Sequence, residues 1–246
     1  NKARTLFEEA YDLSQNGNTY QSLYSVYMAQ EEYDDAAKIA KEFAKRTNQL
    51  RFAVDEASAL EAAGDQKKAD KVWADIEKGV EKQPNQALSI AQKYKELQRL
   101  EEALAMYRIA QEANPRSNLS YQIADIYSAM GRIDLMYGEY LSMIEDNPNY
   151  LSSVRNMLSR SVSTDPENEN NVMLKEALIQ KIQETGAPEY SDLLTWVYVQ
   201  EKNFDGAVRQ GIALDRRLKG NQAEVYQLAQ VCETNEAYDA ALACFE

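Results

Sequence analysis

Apolar and small residues recur along this chain at helical spacing, and the pattern itself recurs. One segment carries Ile90, Ala91 and Tyr94 on a first stripe, then Ala103, Tyr107 and Ala110 on a second, closed by Pro115. Stripes at i, i+3 and i+4 separated by a few polar residues predict a pair of amphipathic helices joined by a short turn. The next segment repeats the order with Ile123, Ala124, Tyr127, Gly131, Tyr140, Met143 and Pro148. Two earlier segments follow it, one through Leu23, Tyr24, Tyr27, Ala36, Ala40 and Phe43, the other through Ala57, Leu60, Gly64, Ala69, Trp73 and Ile76. Two later ones run through Leu194, Tyr198, Phe204, Ala207 and Leu214, and through Leu228, Ala229, Cys232, Tyr238, Ala241 and Phe245.

One residue near the start of each second helix serves as a ruler. It falls at Ala3, Ala36, Ala69, Ala103, Met136, Ala207 and Ala241, in steps of 33, 33, 34, 33, 71 and 34. This interval, with its small and large residues at fixed places, resembles the tetratricopeptide repeat, whose period is about 34 residues. The resemblance implies an all-α fold, a right-handed α-solenoid (TPR superhelix) of antiparallel helix hairpins. The residue types have physical reasons of their own. Alanines let two helix backbones approach closely, and an aromatic ring one turn later fills the space between hairpins. Gly64 and Gly131 fit first-helix ends that need a left-handed backbone, and Pro115 and Pro148 stop second helices.

In this frame the whole chain, 1–246, reads as one solenoid. Residues 1–16 are the second helix of a hairpin lacking its first half, 17–148 hold four regular hairpins, 149–187 a diverged one, and 188–246 two more, the last incomplete. The chain therefore reads as cut from something longer, with end surfaces that a neighbouring repeat would cover. The step of 71 residues equals two repeats plus a few residues. Val154, Met157, Leu158 and Val162 are expected on the first helix of the diverged hairpin. Asp165 is expected to cap a second helix starting near Pro166, carrying Leu174, Leu178 and Ile182 and ending near Gly186. Asp165, Glu167, Glu169 and Glu176 have the spacing of a calcium loop, but Pro166 and Asn170 stand where such a loop needs flexibility and glycine, so the run reads as an acidic helix start.

Composition narrows the chemistry. Forty acidic against 27 basic side chains give a formal charge of −13, which repels phosphate backbones and anionic lipid heads, so neither nucleic acid nor a membrane surface is an expected partner. No apolar run approaches the ~20 residues of a membrane span, so no direct membrane insertion is expected. The chain has no histidine, which removes the usual base near neutral pH and the histidine-dependent triads and zinc sites. Neither a phosphate loop nor a dinucleotide-binding turn occurs, and no cofactor, metal or catalytic residue is expected. Cys232 and Cys244 fit no metal spacing and read as packing residues.

The resemblance further implies that first helices line an inner groove where a protein or peptide partner is held. Carried onto this chain, the contacting positions are Gln21, Ser25, Met28, Val54, Ser58, Leu88, Gln92, Tyr121, Asp125, Asp192, Trp196, Tyr226 and Gln230. One subtype of the family clamps a C-terminal carboxylate with lysine and asparagine at two of these positions. This chain has Gln21 and Ser25, Val54 and Ser58, and Leu88 and Gln92 there, so that clamp is not expected. Trp196 and Tyr226 are the strongest anchors by residue type. Three functional classes stay open: a scaffold or adaptor without catalysis, a subunit of a larger complex, and a positioning domain of a larger enzyme. For the second class, the acidic, tyrosine- and asparagine-rich repeats resemble those of bacterial periplasmic or outer-membrane-attached secretion and assembly proteins, with the cytoplasm as the other compartment.

Overall fold

The computed structural model describes residues 2–245, and the side chains of residues 4–245. Asn1, Glu246 and the side chain of the Ala3 marker lie outside that range. Among the described residues every regular element is helical. The helices gather into two compact units, one ending at Leu119 and the other beginning at Ser120. The first unit holds α1 (Lys2–Ser14), α2 (Gly17–Ala29), α3 (Tyr33–Thr47), α4 (Arg51–Ala62), α5 (Gln66–Lys82), α6 (Ala87–Glu96) and α7 (Leu100–Ala113). The second holds α8 (Ser120–Ala129), α9 (Ile133–Asp146), α10 (Leu151–Leu158), α11 (Glu169–Thr185), α12 (Pro188–Gln200), α13 (Phe204–Leu218), α14 (Ala223–Thr234) and α15 (Tyr238–Ala243). Within each unit the helices pack as antiparallel hairpins on their neighbours, except that α11 lies against α9 and α12 and not closely on α10.

Six hairpins turn on the same three residues, 30–32, 63–65, 97–99, 130–132, 201–203 and 235–237. The middle one is always left-handed: Glu31, Gly64, Gln98, Gly131, Lys202 and Glu236 have φ of 60°, 80°, 59°, 72°, 57° and 61°. The third donates its N–H back five residues, Glu32 to Tyr27, Asp65 to Leu60, Arg99 to Tyr94, Arg132 to Tyr127, Asn203 to Tyr198 and Ala237 to Cys232, each at 2.9 Å. The middle N–H reaches back three residues in every case, from Glu31 to Met28 through Glu236 to Glu233. These are the paired bonds of a Schellman motif, which satisfy carbonyls that a helix end otherwise leaves bare. The third residue then opens the second helix, so one helix stops and the next starts with almost no chain between them.

Because each second helix starts at the same point, its fourth residue always lands against the partner helix. Those residues are Ala36, Ala69, Ala103, Met136, Ala207 and Ala241, the markers read from the sequence, and all are buried. Larger side chains fill in around them. In the first unit the Tyr20 ring stacks on Phe43 with centroids 4.3 Å apart, and Phe52 meets both edge-on. Next along, the Arg99 guanidinium covers the Trp73 ring at 4.1 Å while Trp73 Nε1 donates to Glu61 at 2.7 Å. Such aromatic and cation contacts add to area burial by about 0.5–1.5 kcal/mol each.

The diverged hairpin breaks the turn rule. Its first helix, α10, stops at Leu158, so Val162 falls in the connection and not on that helix as expected, and residues 159–168 replace the three-residue turn. Asn171 closes this long connection. Fully buried, it accepts from Ser163 N–H at 2.9 Å and donates Nδ2 to the Ser163 and Asp165 carbonyls at 2.8 and 3.2 Å and to Glu201 Oε1 at 3.0 Å. Lys175 pairs with the same Glu201 oxygen at 2.8 Å. Held from beneath, the segment around Pro166 stays a turn, and the expected cap shifts. Asp165 accepts from Glu167 N–H at 3.0 Å within the connection, whereas Asn168 caps α11 by accepting from Asn170 N–H at 3.0 Å. The expected end at Gly186 is present, with φ of 68°.

A second buried network sits in the first unit. Asp55 on α4 takes Tyr20 Oη of α2 at 2.8 Å and Lys93 Nζ of α6 at 3.1 Å, while its carbonyl accepts from Tyr24 Oη at 2.9 Å. Burial holds the Asp55 carboxyl above the ordinary range, against the pull of Lys93 and the Tyr20 hydroxyl, and the same burial raises both tyrosines.

Two stability outcomes follow from these arrangements. A left-handed backbone costs an L-residue about 1–2 kcal/mol, partly offset by the entropy glycine adds to the unfolded chain. Glycine at Glu31, Gln98, Lys202 or Glu236 should therefore stabilise by about 0.5–1 kcal/mol each, and Gly64→Ala or Gly131→Ala should destabilise by a similar amount. Urea melts of the single variants check the sign at each site. Asp55→Ala strands Lys93 and the buried Tyr20 hydroxyl and should cost about 2–4 kcal/mol in the same melts, against ~1 kcal/mol or less for a truncation such as Asp70→Ala on the exposed face of α5.

Candidate interaction surface

The first helices carry the residues that the sequence assigns to a binding wall. In the first unit, Gln21 and Ser25 are exposed on α2, with Gln21 Nε2 donating to Ser25 Oγ at 3.5 Å, and Met28 is half-buried one turn on. Gln92 is exposed and Leu88 half-buried on α6. Val54 is 0% exposed, which removes it from the wall. Helix α4 packs against α3, α5 and α6 and bonds to α2 through Asp55, so Phe52, Val54, Ala57 and Ala59 are buried around its circumference. Ser58 is half-buried and donates its hydroxyl to the Val54 carbonyl at 2.9 Å. The wall of this unit is thus narrower than the sequence suggests.

The second unit builds hollows. Helix α8 directs Tyr121, 45% exposed, and Asp125 toward a cavity of about 580 Å³, where Tyr140 of α9 and Asn156, Met157 and Arg160 meet them. Burial raises the Tyr140 hydroxyl, with nearby Tyr121 and Asp125 pushing it further and Arg160 opposing them. Helix α12 directs Asp192 and Trp196 into a second cavity of about 340 Å³, completed by α13 and α14 through Leu214, Val225 and Leu228. Arg155 of α10 lines this second cavity and pairs with Asp192 at 2.8 Å.

Helix α10 therefore divides the two cavities. Ser153, Asn156 and Met157 face the first and Arg155 the second, as the rotation of 100° per residue requires. Trp196 is half-buried and Tyr226 is 54% exposed. Tyr226 lies outside both cavities, edge-on to Phe245 with centroids 6.2 Å apart, and Gln230 is exposed one turn further along α14. The structure thus groups Tyr121 with Asp125 and Asp192 with Trp196, and leaves Tyr226 and Gln230 on open helix surface.

Residues missed in sequence complete the hollows. Met157 was placed by its apolar stripe, but Arg160 lies in the connection just past α10, and its side chain lines a cavity that α8, α9 and α10 also form. Charge separates the two units as well. Residues 1–119 hold 17 basic and 20 acidic side chains, residues 120–246 hold 10 and 20. Cys232 is fully buried and Cys244 half-buried, both unbridged, and burial pushes the Cys232 thiol up to about 11, so it is protonated and inert near neutral pH. Among the described residues no group of histidine, cysteine and carboxylate side chains gathers to hold a metal ion, and no helix is long and apolar enough to cross a membrane.

No profile of a protein family matches this chain, and no curated protein matches its sequence. Solved structures that align with it do so distantly. The human IFIT1 dimer with PPP-AAAA aligns at 14% identity over 99% of this chain and 67% of that one, with a TM-score of 0.36. The APC/C hetero-tetramer Cut9-Hcn1 aligns at 15% identity over 99% of this chain and 48% of that one, with a TM-score of 0.32. The TPR domain of P58(IPK) aligns at 11% identity over 98% of this chain and 86% of that one, with a TM-score of 0.26. Overlays this loose assign neither a partner nor a chemistry, so function rests on the residues themselves.

Proposed function

We propose that this chain is a non-catalytic protein-interaction scaffold that seats a partner segment on its first helices, with the two cavities beside α10 as anchor points. The observation that carries the proposal is this pair of hollows, about 580 and 340 Å³, each combining a ring from a first helix with charged side chains, Asp125 and Arg160 in the first and the Arg155–Asp192 pair in the second. Large amphipathic rings in partly enclosed pockets lose little entropy on binding and tend to dominate interface energy. Tyr121 and Trp196 fill that role, with Asp125, Arg160 and the Arg155–Asp192 pair setting polar register around them. The surplus of ten acidic charges in residues 120–246 favours a partner whose apolar anchors are flanked by lysine or arginine. Repetition without a catalytic constellation fits holding, not turnover.

A second reading, a structural subunit of a larger assembly, draws support from exposed apolar side chains. Leu6 and Leu13 are 60% and 89% exposed, and Tyr238, Leu242 and Phe245 are 65%, 61% and 65% exposed. Apolar surface of this kind on a repeat protein suits contact with a further repeat or subunit.

Peptides selected on the purified protein from a random display library test the scaffold reading by calorimetry. Tyr121→Ala and Trp196→Ala should each weaken a selected peptide by about 10- to 100-fold, the ~1–3 kcal/mol of an anchor residue, with helicity and melting unchanged. Gln230→Ala should leave affinity within about two-fold. Selection that yields no binder, or binders indifferent to both ring truncations, would remove this site.

A further inference from the structure

The opposite side of the first unit, where second helices meet, holds a cavity of about 800 Å³, larger than either hollow described above. Helix α3 forms one wall and α5 the other, with α4 as floor between them. The space exists because the wall of α3 carries Ala37 and Ala44 where its stripe turns inward, and the floor carries Ala53 beside Leu60. Over this apolar floor hangs a basic rim. Five lysines line the cavity against three carboxylates, Asp34, Glu56 and Asp75, in a chain whose net charge is −13.

Two of those lysines are already engaged. Lys41 pairs with the nearly buried Glu56 of the floor at 3.1 Å, and Lys68 pairs with Asp65 at 2.5 Å and feels Asp34. Lys38, Lys45 and Lys71 make no ion pair among the described residues, with Asp75 one turn from Lys71. Lys38 and Lys45 stand seven residues apart on one helix face, so their stems are about 10 Å apart along the wall at 1.5 Å per residue. That spacing exceeds a single phosphate or carboxylate. It matches acidic side chains two turns apart on one face of a helix.

We propose that this trough is a second binding site, independent of the first-helix hollows, for an acidic amphipathic segment of a partner protein. Its carboxylates meet Lys38, Lys45 and Lys71 while its apolar side chains lie over Leu50, Ala53 and Val72. Charge complementarity selects the occupant, and the floor refines it. An apolar floor rewards buried side chains and offers nothing to a phosphodiester backbone, and no arginine lines the trough to grip phosphate in two-point fashion. A peptide is therefore favoured over nucleic acid.

Fluorescence anisotropy tests this with a fluorescein-labelled 14-residue peptide of glutamate and leucine in two-by-two alternation, beside a lysine and leucine counterpart and a 14-nucleotide oligothymidylate, each carrying the same dye. The acidic peptide should bind, and its Kd should rise at least tenfold in Lys38→Glu/Lys45→Glu/Lys71→Glu. The control Lys67→Glu/Lys78→Glu/Lys82→Glu makes the same charge change outside the trough and should shift Kd less than about threefold. Tyr121→Ala/Trp196→Ala should leave it unchanged, which separates this site from the scaffold surface. Melting curves confirm folding, and Lys38→Gln/Lys45→Gln/Lys71→Gln repeats the loss without charge reversal. Equal loss in the control, no loss in either trough variant, or tighter binding of the oligothymidylate would overturn the proposal.

Discussion

The rest of the architecture depends on how a helix stops. In six hairpins the chain ends one helix with a single left-handed residue and begins the next at once, closing both carbonyl bonds of a Schellman motif in three residues. So short a turn leaves the second helix no freedom of register. Its fourth residue must face the first helix, and only a small or pliable side chain fits there, which is why alanine holds five of those six places and methionine the other. The alanine ruler is thus a consequence of the turn. Where the turn is lost, as in residues 159–168, the ruler is lost with it, and a buried asparagine takes over the closing role.

The hollows and the trough follow from the same rule applied twice. Within each unit, fixed register places successive first helices on one side and successive second helices on the other, so each side carries stripes that repeat between regular hairpins. Chemistry then diverges between them. In residues 120–246 the first-helix stripes carry rings and paired charges around α10, while in residues 1–119 the second-helix stripes carry lysines over alanine. The hollows flank the diverged hairpin, whereas the trough lies among regular ones.

Much of this was legible in the sequence because it is local. Ala36, Ala69, Ala103 and Ala207 announce hairpins by spacing alone, and all four are fully buried. Gly64 and Gly131 announced two turns, but Glu31, Gln98, Lys202 and Glu236 hold the same left-handed state with ordinary side chains, and no composition signal marks them. Val54 failed as a wall residue because its burial depends on helices from two other hairpins, beyond the reach of any periodicity. Lys38, Lys45 and Lys71 drew no reading from the sequence for the same reason. Each is solvated on its own helix, and only the neighbouring second helix turns them into the rim of a cavity. Asp165 misled because a cap signal was judged from the helix it precedes, while Asn171 reaches back and claims the segment for a turn.

Asp55 gives the stack a property that repeats alone do not confer. A stack of hairpins that touch only their neighbours can lose them one at a time, each loss costing little more than its own interface. The carboxylate on α4 is held from α2 on one side and α6 on the other, so it spans three successive hairpins with a single charge. Opening any one of them strands a group belonging to the other two. Fraying is therefore expected to halt at this point, giving the lysine-lined face a mechanically continuous backing from Tyr20 to Lys93.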